Sequence, residues 1–419
     1  MRANKEEIRD KVVNSIDMSR ELEDEEIHNV IDEIILNELD CKYITINERC
    51  SLHKYIFHSI RGLGIIEDLL CDENVTEIMI NNYKNIFVER KGKLEEVEGQ
   101  FSSEERLSDT IQQIVSKNNR RVNESTPIVD TRLEDGSRVN IVLPPIAIDG
   151  AVITIRKFPK ENINMNQLIR WNCITREVSD FLKKLVLAGY NIFICGGTGC
   201  GKTTFLNVLS DFIPRDERVI TIEDSAELQL KNIRNLIRLE ARQANVEGEN
   251  EITIRSLIKT SLRMRPDRII VGEVRGIEAL DMLQAMNTGH DGSMSTGHAN
   301  SPKDMLSRLE TMILMGIEMP LSAIRAQIAS GIDIIVYLGR LRDRSRKVIE
   351  IDEVQGFHSG EIVLNKLYEF VEYGEKDGKV CGQLKQTDNK LIHIDKMIKS
   401  GQIKGEKNDL QNGEKGDIF

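Results

Sequence analysis

Apolar residues recur at three- and four-residue spacing at two places near the start of the chain: Ile8, Val12, Val13 and Ile16, then Ile27, Val30, Ile31 and Ile34. That period predicts two short amphipathic helices, the second over about 25–39. From about 52 to 158 the texture is mixed α/β. VTEIMIN and NIFVERKGKL read as short strands with Lys91-Gly92 at a tight turn, and ERLSDTIQQIVSKNN (105–119) reads as a helix. STPIVDTRLEDGSRVNIVLPP reads as a hairpin around Asp135-Gly136, its second strand stopped by Pro144-Pro145, and AVITIRKF (151–158) as one more strand. Residues 159–172 read as a polar connector and the main boundary.

Beyond it, strand and helix signals alternate over 173–355. YNIFIC, RVITIE, LIRL, RIIVGE and IDIIVYL are strand candidates, separated by TTFLNVLSDF, ITIRSLIKTSLRM, GIEALDMLQAM and SPKDMLSRLETMI as helices. This is the pattern of a mostly parallel sheet covered on both faces. After Gln355 the hydrophobic density falls, and GQIKGEKNDLQNGEKGDIF predicts disorder at the extreme terminus.

Composition narrows the class. With 419 residues, 40% hydrophobic and 30% charged, the chain has the makeup of a globular protein of two or three domains. Its net charge is −11, from 57 basic and 68 acidic residues, which argues against a protein that coats nucleic acid by neutralising phosphates. The first 50 residues hold 14 acidic and 7 basic residues. The helices there read either as a solvated cap or as a docking element for a partner. No run of 18 apolar residues offers a membrane span, and MRANKEEIRDKVVNS lacks the apolar core of a signal peptide. The seven cysteines (Cys41, Cys50, Cys71, Cys173, Cys195, Cys200, Cys381) form no CxxC pair or zinc-ligand spacing and read as free thiols of a reducing cytoplasm.

The strongest chemical signal is Gly196-Gly197-Thr198-Gly199-Cys200-Gly201-Lys202-Thr203, a GxxxxGK[ST] loop between the strand NIFIC and the helix TTFLNVL, with Thr204 next to it as a further nucleotide-binding candidate. Such a loop folds its amides around phosphate; Lys202 reaches the β/γ-phosphates and the Thr203 hydroxyl ligates Mg²⁺. RIIVGE ends a hydrophobic strand in Glu273, the candidate general base, with Gly272 standing where P-loop folds commonly carry Asp. Glu223 and Asp224 close RVITIE and supplement metal ligation. His290 and His298 share the loop-strand-loop NTGHDGSMSTGHANSP, and His298 is the better candidate to contact the γ-phosphate. Arg138, Arg156, Arg238 and Arg242, with Arg263 and Arg265, are candidates to neutralise transition-state charge.

GGTGCGKTT, VITIEDSAEL, RLEARQANVEGENEITIRSLIKTSLRMRPDRIIVGEVRG and TGHDGSMSTGHANSP together resemble the type II/type IV secretion ATPases. Within that superfamily, DENVTEIMINNYKNIFVERKGKL and PIVDTRLEDGSRVNIVLPPIAIDGAVITIRKF resemble the tight-adherence (Tad/Flp) pilus assembly ATPase; the resemblance covers about 55–357. With the segments above, the chain divides into an acidic helical extension (1–50), a mixed α/β N-terminal domain (51–160), a RecA-like P-loop domain (173–356) and a C-terminal tail (357–419). The resemblance implies a hexameric ring that binds ATP and Mg²⁺ between its two domains and works on an integral membrane platform protein from the cytoplasmic side. Glu223 and Asp224 then fall in the family's Asp box, Glu273 is its Walker B acid, His290 and His298 its His box, and Gly272 is its usual residue. Arg138 and Arg156 match N-terminal arginines that reach phosphate, and Arg238 and Arg242 an arginine-rich segment near a subunit boundary. The rivals are a P-loop kinase, a DNA-dependent P-loop motor, against which 5% aromatics and the acidic charge count, and a nucleotide-gated scaffold.

Overall fold

The computed structural model describes residues 2–16, 23–39, 45–60, 62–90, 92–118, 120–158, 163–242, 244 and 250–403. The chain divides into two compact units, Met1–Glu161 and Asn162–Phe419.

The first unit opens with three helices, α1 (Arg2–Ser15), α2 (Asp24–Leu39) and α3 (Ile46–Ile60). Their apolar stripes meet in one cluster: Ile8, Val12 and Ile16 against Ile27, Ile31 and Ile35, closed by Leu52 and Ile56 from α3. The two helices expected from periodicity are there. The third runs across residue 50, where the helical extension was expected to end. After α4 (Ile65–Cys71) come β1 (Val75–Ile80), β2 (Ile86–Arg90), β3 (Lys93–Glu96), α5 (Glu104–Ser116), β4 (Ile128–Arg132), β5 (Arg138–Val142) and β6 (Val152–Arg156). The strands form a six-stranded antiparallel sheet in the order β3-β2-β1-β6-β5-β4. One face of α5 (Leu107, Ile111, Ile114, Val115) packs on Ile78, Ile80, Ile141 and Ile153, as the strand alternation requires. Of the Lys91-Gly92 turn, Lys91 lies outside the described residues, and Gly92 has φ +77°.

The second unit begins with a correction. Within the expected polar connector, Met165–Arg170 is a helix (α6), started by a capping box in which the side chains of Asn164 and Gln167 each accept from the other's backbone amide. Met165 and Leu168 are buried in the core; a pattern of two apolar positions in six residues is too short to show as periodicity. Then follow α7 (Arg176–Leu187), β7 (Ile192–Gly196), α8 (Lys202–Ser210), β8 (Arg218–Glu223), β9 (Asn235–Glu240), α9 (Ile254–Ser261), β10 (Arg268–Val271), α10 (Glu278–Asn287), β11 (Met294–His298), α11 (Pro302–Leu314), α12 (Leu321–Gly331) and β12 (Ile334–Arg340). Strands β12-β7-β11-β10-β8-β9 pair in parallel, and apolar clusters on the two sides of the sheet bury β7 completely. This is the expected mostly parallel α/β architecture.

A second correction concerns the residues read as a tail of low hydrophobic density. The sheet continues antiparallel through β13 (Arg346–His358), which only ends in that stretch, and the stretch itself adds β14 (Glu361–Lys376) and β15 (Lys379–Gln386), followed by α13 (Asp395–Lys399). Residues 404–419, on which most of the expected terminal disorder falls, lie outside the described residues.

Candidate functional site

The P-loop grows out of the sheet. Leu338 of β12 and His298 of β11 flank Gly196, the last residue of β7, in the two parallel ladders. A Cβ on Gly196 would collide with the Leu338 carbonyl oxygen and stand 2.6 Å from Cys200 Sγ, so no other residue fits. Gly199 (φ +70°) and Gly201 (φ +94°) take the left-handed turns that aim the loop amides into the cradle. The space beside Gly197 and Gly199 is open within 4 Å, as an anion cradle requires. Lys202, first residue of α8, is buried, and its Nζ donates to the carbonyls of Gly196 (3.2 Å) and Gly197 (3.0 Å). Burial pulls its pKa down. Thr203 and Thr204 follow in the first turn of α8, where the helix dipole favours negative charge.

The acids and His298 stand on the neighbouring strands. His298 Nδ1 lies 3.3 Å from Lys202 Nζ, and its Nε2 lies 2.8 Å from Glu273 Oε1. Burial lowers the His298 pKa, opposed by the Glu273 charge and aided by Lys202. A neutral ring carrying its proton on Nε2 turns its Nδ1 lone pair to the ammonium and its N–H side toward the carboxylate, while Glu273 Oε1 accepts no hydrogen bond among the described residues. Glu273 also accepts from Arg275 Nε (3.0 Å) and Nη2 (2.8 Å). Arg275 was absent from the sequence candidates, though its place two residues after the acid is a readable signal.

Glu223 ends β8 with only 3% of its surface exposed. Its Oε2 accepts from the amides of Glu227 (2.7 Å) and Leu228 (2.9 Å), while Oε1 has no hydrogen-bond partner among the described residues. Burial raises its pKa, opposed by those two amides and by the Arg238 charge. A buried carboxylate oxygen without a donor is the kind of group that a divalent cation satisfies. Thr203, Glu223, Glu273 and the exposed Asp224 are the candidates to hold Mg²⁺, and among the described residues no three His, Cys, Asp or Glu side chains gather as a metal-holding group.

The remaining candidates fall elsewhere. Arg238 is exposed on β9 opposite Thr221, and Arg242 Nε donates to the Asn250 carbonyl (2.9 Å). His290 precedes β11, at the opposite end of that strand from His298, with Nδ1 3.2 Å from the Ala285 carbonyl, so the fold does not bring it to the cradle. In the first unit Arg138 and Arg156 face each other across β5 and β6, and Arg132 faces Arg138 from β4.

Residues 60–386 match the family described as Type II/IV secretion system protein. A Mycobacterium tuberculosis protein named for conjugal transfer is 34% identical over 298 residues, 70% of this chain and 84% of that protein. The type IV secretion system protein PtlH of Bordetella pertussis is 35% identical over 251 residues, 54% of this chain and 74% of PtlH. Among solved structures, the pilus retraction motor PilT with bound ADP has the same fold at a TM-score of 0.52 and 19% identity, covering 81% of this chain and 87% of PilT. With its glycine cradle, lysine and carboxylates arranged on the sheet as above, the chain belongs to the Type II/IV secretion system protein family and is a P-loop ATPase.

Proposed function

We propose that the chain is a cytoplasmic, hexameric motor that converts ATP hydrolysis into movement of a membrane platform protein during pilus assembly or secretion, lying peripherally at the membrane through that partner. Family membership and the likeness to PtlH support the secretion role; the Tad/Flp assignment rests on the sequence blocks of the N-terminal half. Among the described residues no helix is long and apolar enough to cross a membrane.

The observation that carries the reading is the close approach of Lys202, His298 and Glu273, at 3.3 and 2.8 Å, at the mouth of the P-loop. The loop amides and Lys202 hold the β/γ-phosphates of ATP. Glu273 takes the proton of the attacking water, and His298 keeps that carboxylate oriented while sensing the ammonium that reads phosphate charge. Mg²⁺, held by Thr203 with Glu223, Asp224 and Glu273, would supply charge neutralisation at the phosphates. The test is steady-state phosphate release by the full chain. Glu273→Gln is expected to lower turnover at least 100-fold with ATP binding kept; full turnover in that variant removes Glu273 as the base.

A further inference from the structure

The strand order gives the bound polyphosphate a direction. His298, Glu273 and Glu223 all stand on the β11-β10-β8 flank of the P-loop, so the reacting phosphate points that way. The opposite flank belongs to β12 and β13, whose hairpin continues past the loop: Leu338 pairs with Gly196, and Arg340 two residues later pairs with Arg346 at the start of β13. The Arg346 chain runs directly beside the cradle, its Cδ only 3.8 Å from where a Cβ of Gly201 would stand. Its charge also reaches the Cys200 thiol, opposing, with Lys202, the upward push of burial.

Arg340 and Arg346 are both exposed, and neither has an ion pair among the described residues. Arginine directly opposite arginine across an antiparallel ladder is unfavourable in the absence of an anion. Their neighbour Arg342 differs: it is committed to Glu372 (2.6 Å) and Glu375 (3.0 Å). Acids are thus within reach of this hairpin, yet the pair nearest the cradle is left without one.

We infer that Arg346, supported by Arg340, holds the phosphate nearest the nucleoside, so that the site grips nucleoside diphosphates and triphosphates alike from the flank opposite the chemistry. This rests on the ATPase reading. Arg346 is a binding residue for the part of the ligand common to substrate and product, unlike Glu273, which acts at the phosphate that leaves.

The experiment is calorimetric titration of the full-length protein with ADP, alongside the KM for ATP, in Arg346→Gln, Arg346→Lys and Arg342→Ala. Loss of one charge-assisted phosphate contact is expected to weaken ADP about tenfold and raise the KM for ATP by the same factor in Arg346→Gln. Arg346→Lys recovers part of that loss, and Arg342→Ala binds ADP as the unaltered chain does. An unaltered ADP affinity in a folded Arg346→Gln overturns the assignment. So does a lysine variant as weak as the glutamine variant, which would place the flat guanidinium on the base rather than on phosphate. Should Arg346→Gln fail to fold, Arg340→Gln makes the same comparison. If the unaltered protein takes up neither nucleotide, it is the ATPase reading that falls instead.

Discussion

Gly272 stands where a side chain would meet Glu223: an added Cβ would lie 3.0 Å from Glu223 Cγ. Glu223 has no room to yield, because the amides of Glu227 and Leu228 hold its carboxylate at 2.7 and 2.9 Å. The space that a β10 side chain takes in other P-loop folds is here filled by the acid of β8, and the glycine is the consequence. Gly272→Ala is therefore expected to cost about 1–3 kcal/mol of stability by overpacking. In a Glu223→Ala background the same change should cost less than half as much, a coupling that thermal melts of the two single variants and the double variant read directly. Equal costs in both backgrounds would separate the two residues. Contiguity decided what was legible at this scale. The P-loop, Glu273 and His298 lie in short motifs whose residue types state their chemistry. Arg346 comes to the cradle only because β13 returns antiparallel beside β12, and nothing in RLRDRSRK marks it from its neighbours.

Strand β13 shows why an element can be missed. Its ladders with β12 and β14 carry register shifts at Tyr337/Leu338, Ile351/Asp352 and Val354/Gly356, and β14 shifts again against β15 at Glu372/Gly374. Each bulge moves the inward-facing phase by one residue, so the two-residue alternation that signals a strand dissolves over the stretch read as a tail. The helices and unbulged strands of the parallel sheet kept their periods and were readable. Within the same ladder Asp352 is buried beside Glu350, with Lys366 and Glu369 facing them from β14, and its Oδ1 has no hydrogen-bond partner among the described residues. Burial, then the charge and hydrogen bond of Glu350, push its pKa up to about 7. An unfolded aspartate titrates near ~3.9, so between these values the native chain binds the extra proton and stability falls as pH rises. Asp352→Asn lacks that loss. Its melting temperature relative to the unaltered chain should climb from pH 5 to pH 8, by a few degrees for about 1–2 kcal/mol; a difference independent of pH would show that Asp352 is ionised throughout.

At the scale of the molecule, the two units carry separate kinds of charge. The second unit assembles the P-loop, its lysine and its acids on strands of one sheet. The first unit places Arg132, Arg138 and Arg156 at opposed positions on three adjacent strands, with Glu77 opposite Arg156 on β1. Opposed like charges weaken a sheet by a few tenths of a kcal/mol to about 1 kcal/mol, so a row kept for folding alone would be expected to alternate in sign. The alternation of SRVNIVL and AVITIRKF made both strands readable, but the facing of Arg138 and Arg156 depends on which strands pair, and that is set by the whole sheet. The resemblance of its strand to the family's phosphate-reaching arginines predicts that Arg138→Ala lowers ATP turnover at least tenfold in the full chain while the protein still folds. Turnover lost by more than the change in melting temperature accounts for is the signature of a functional arginine. Turnover at the unaltered rate would return Arg138 to an ordinary solvated charge, and a fall in both readouts together would make it a structural one.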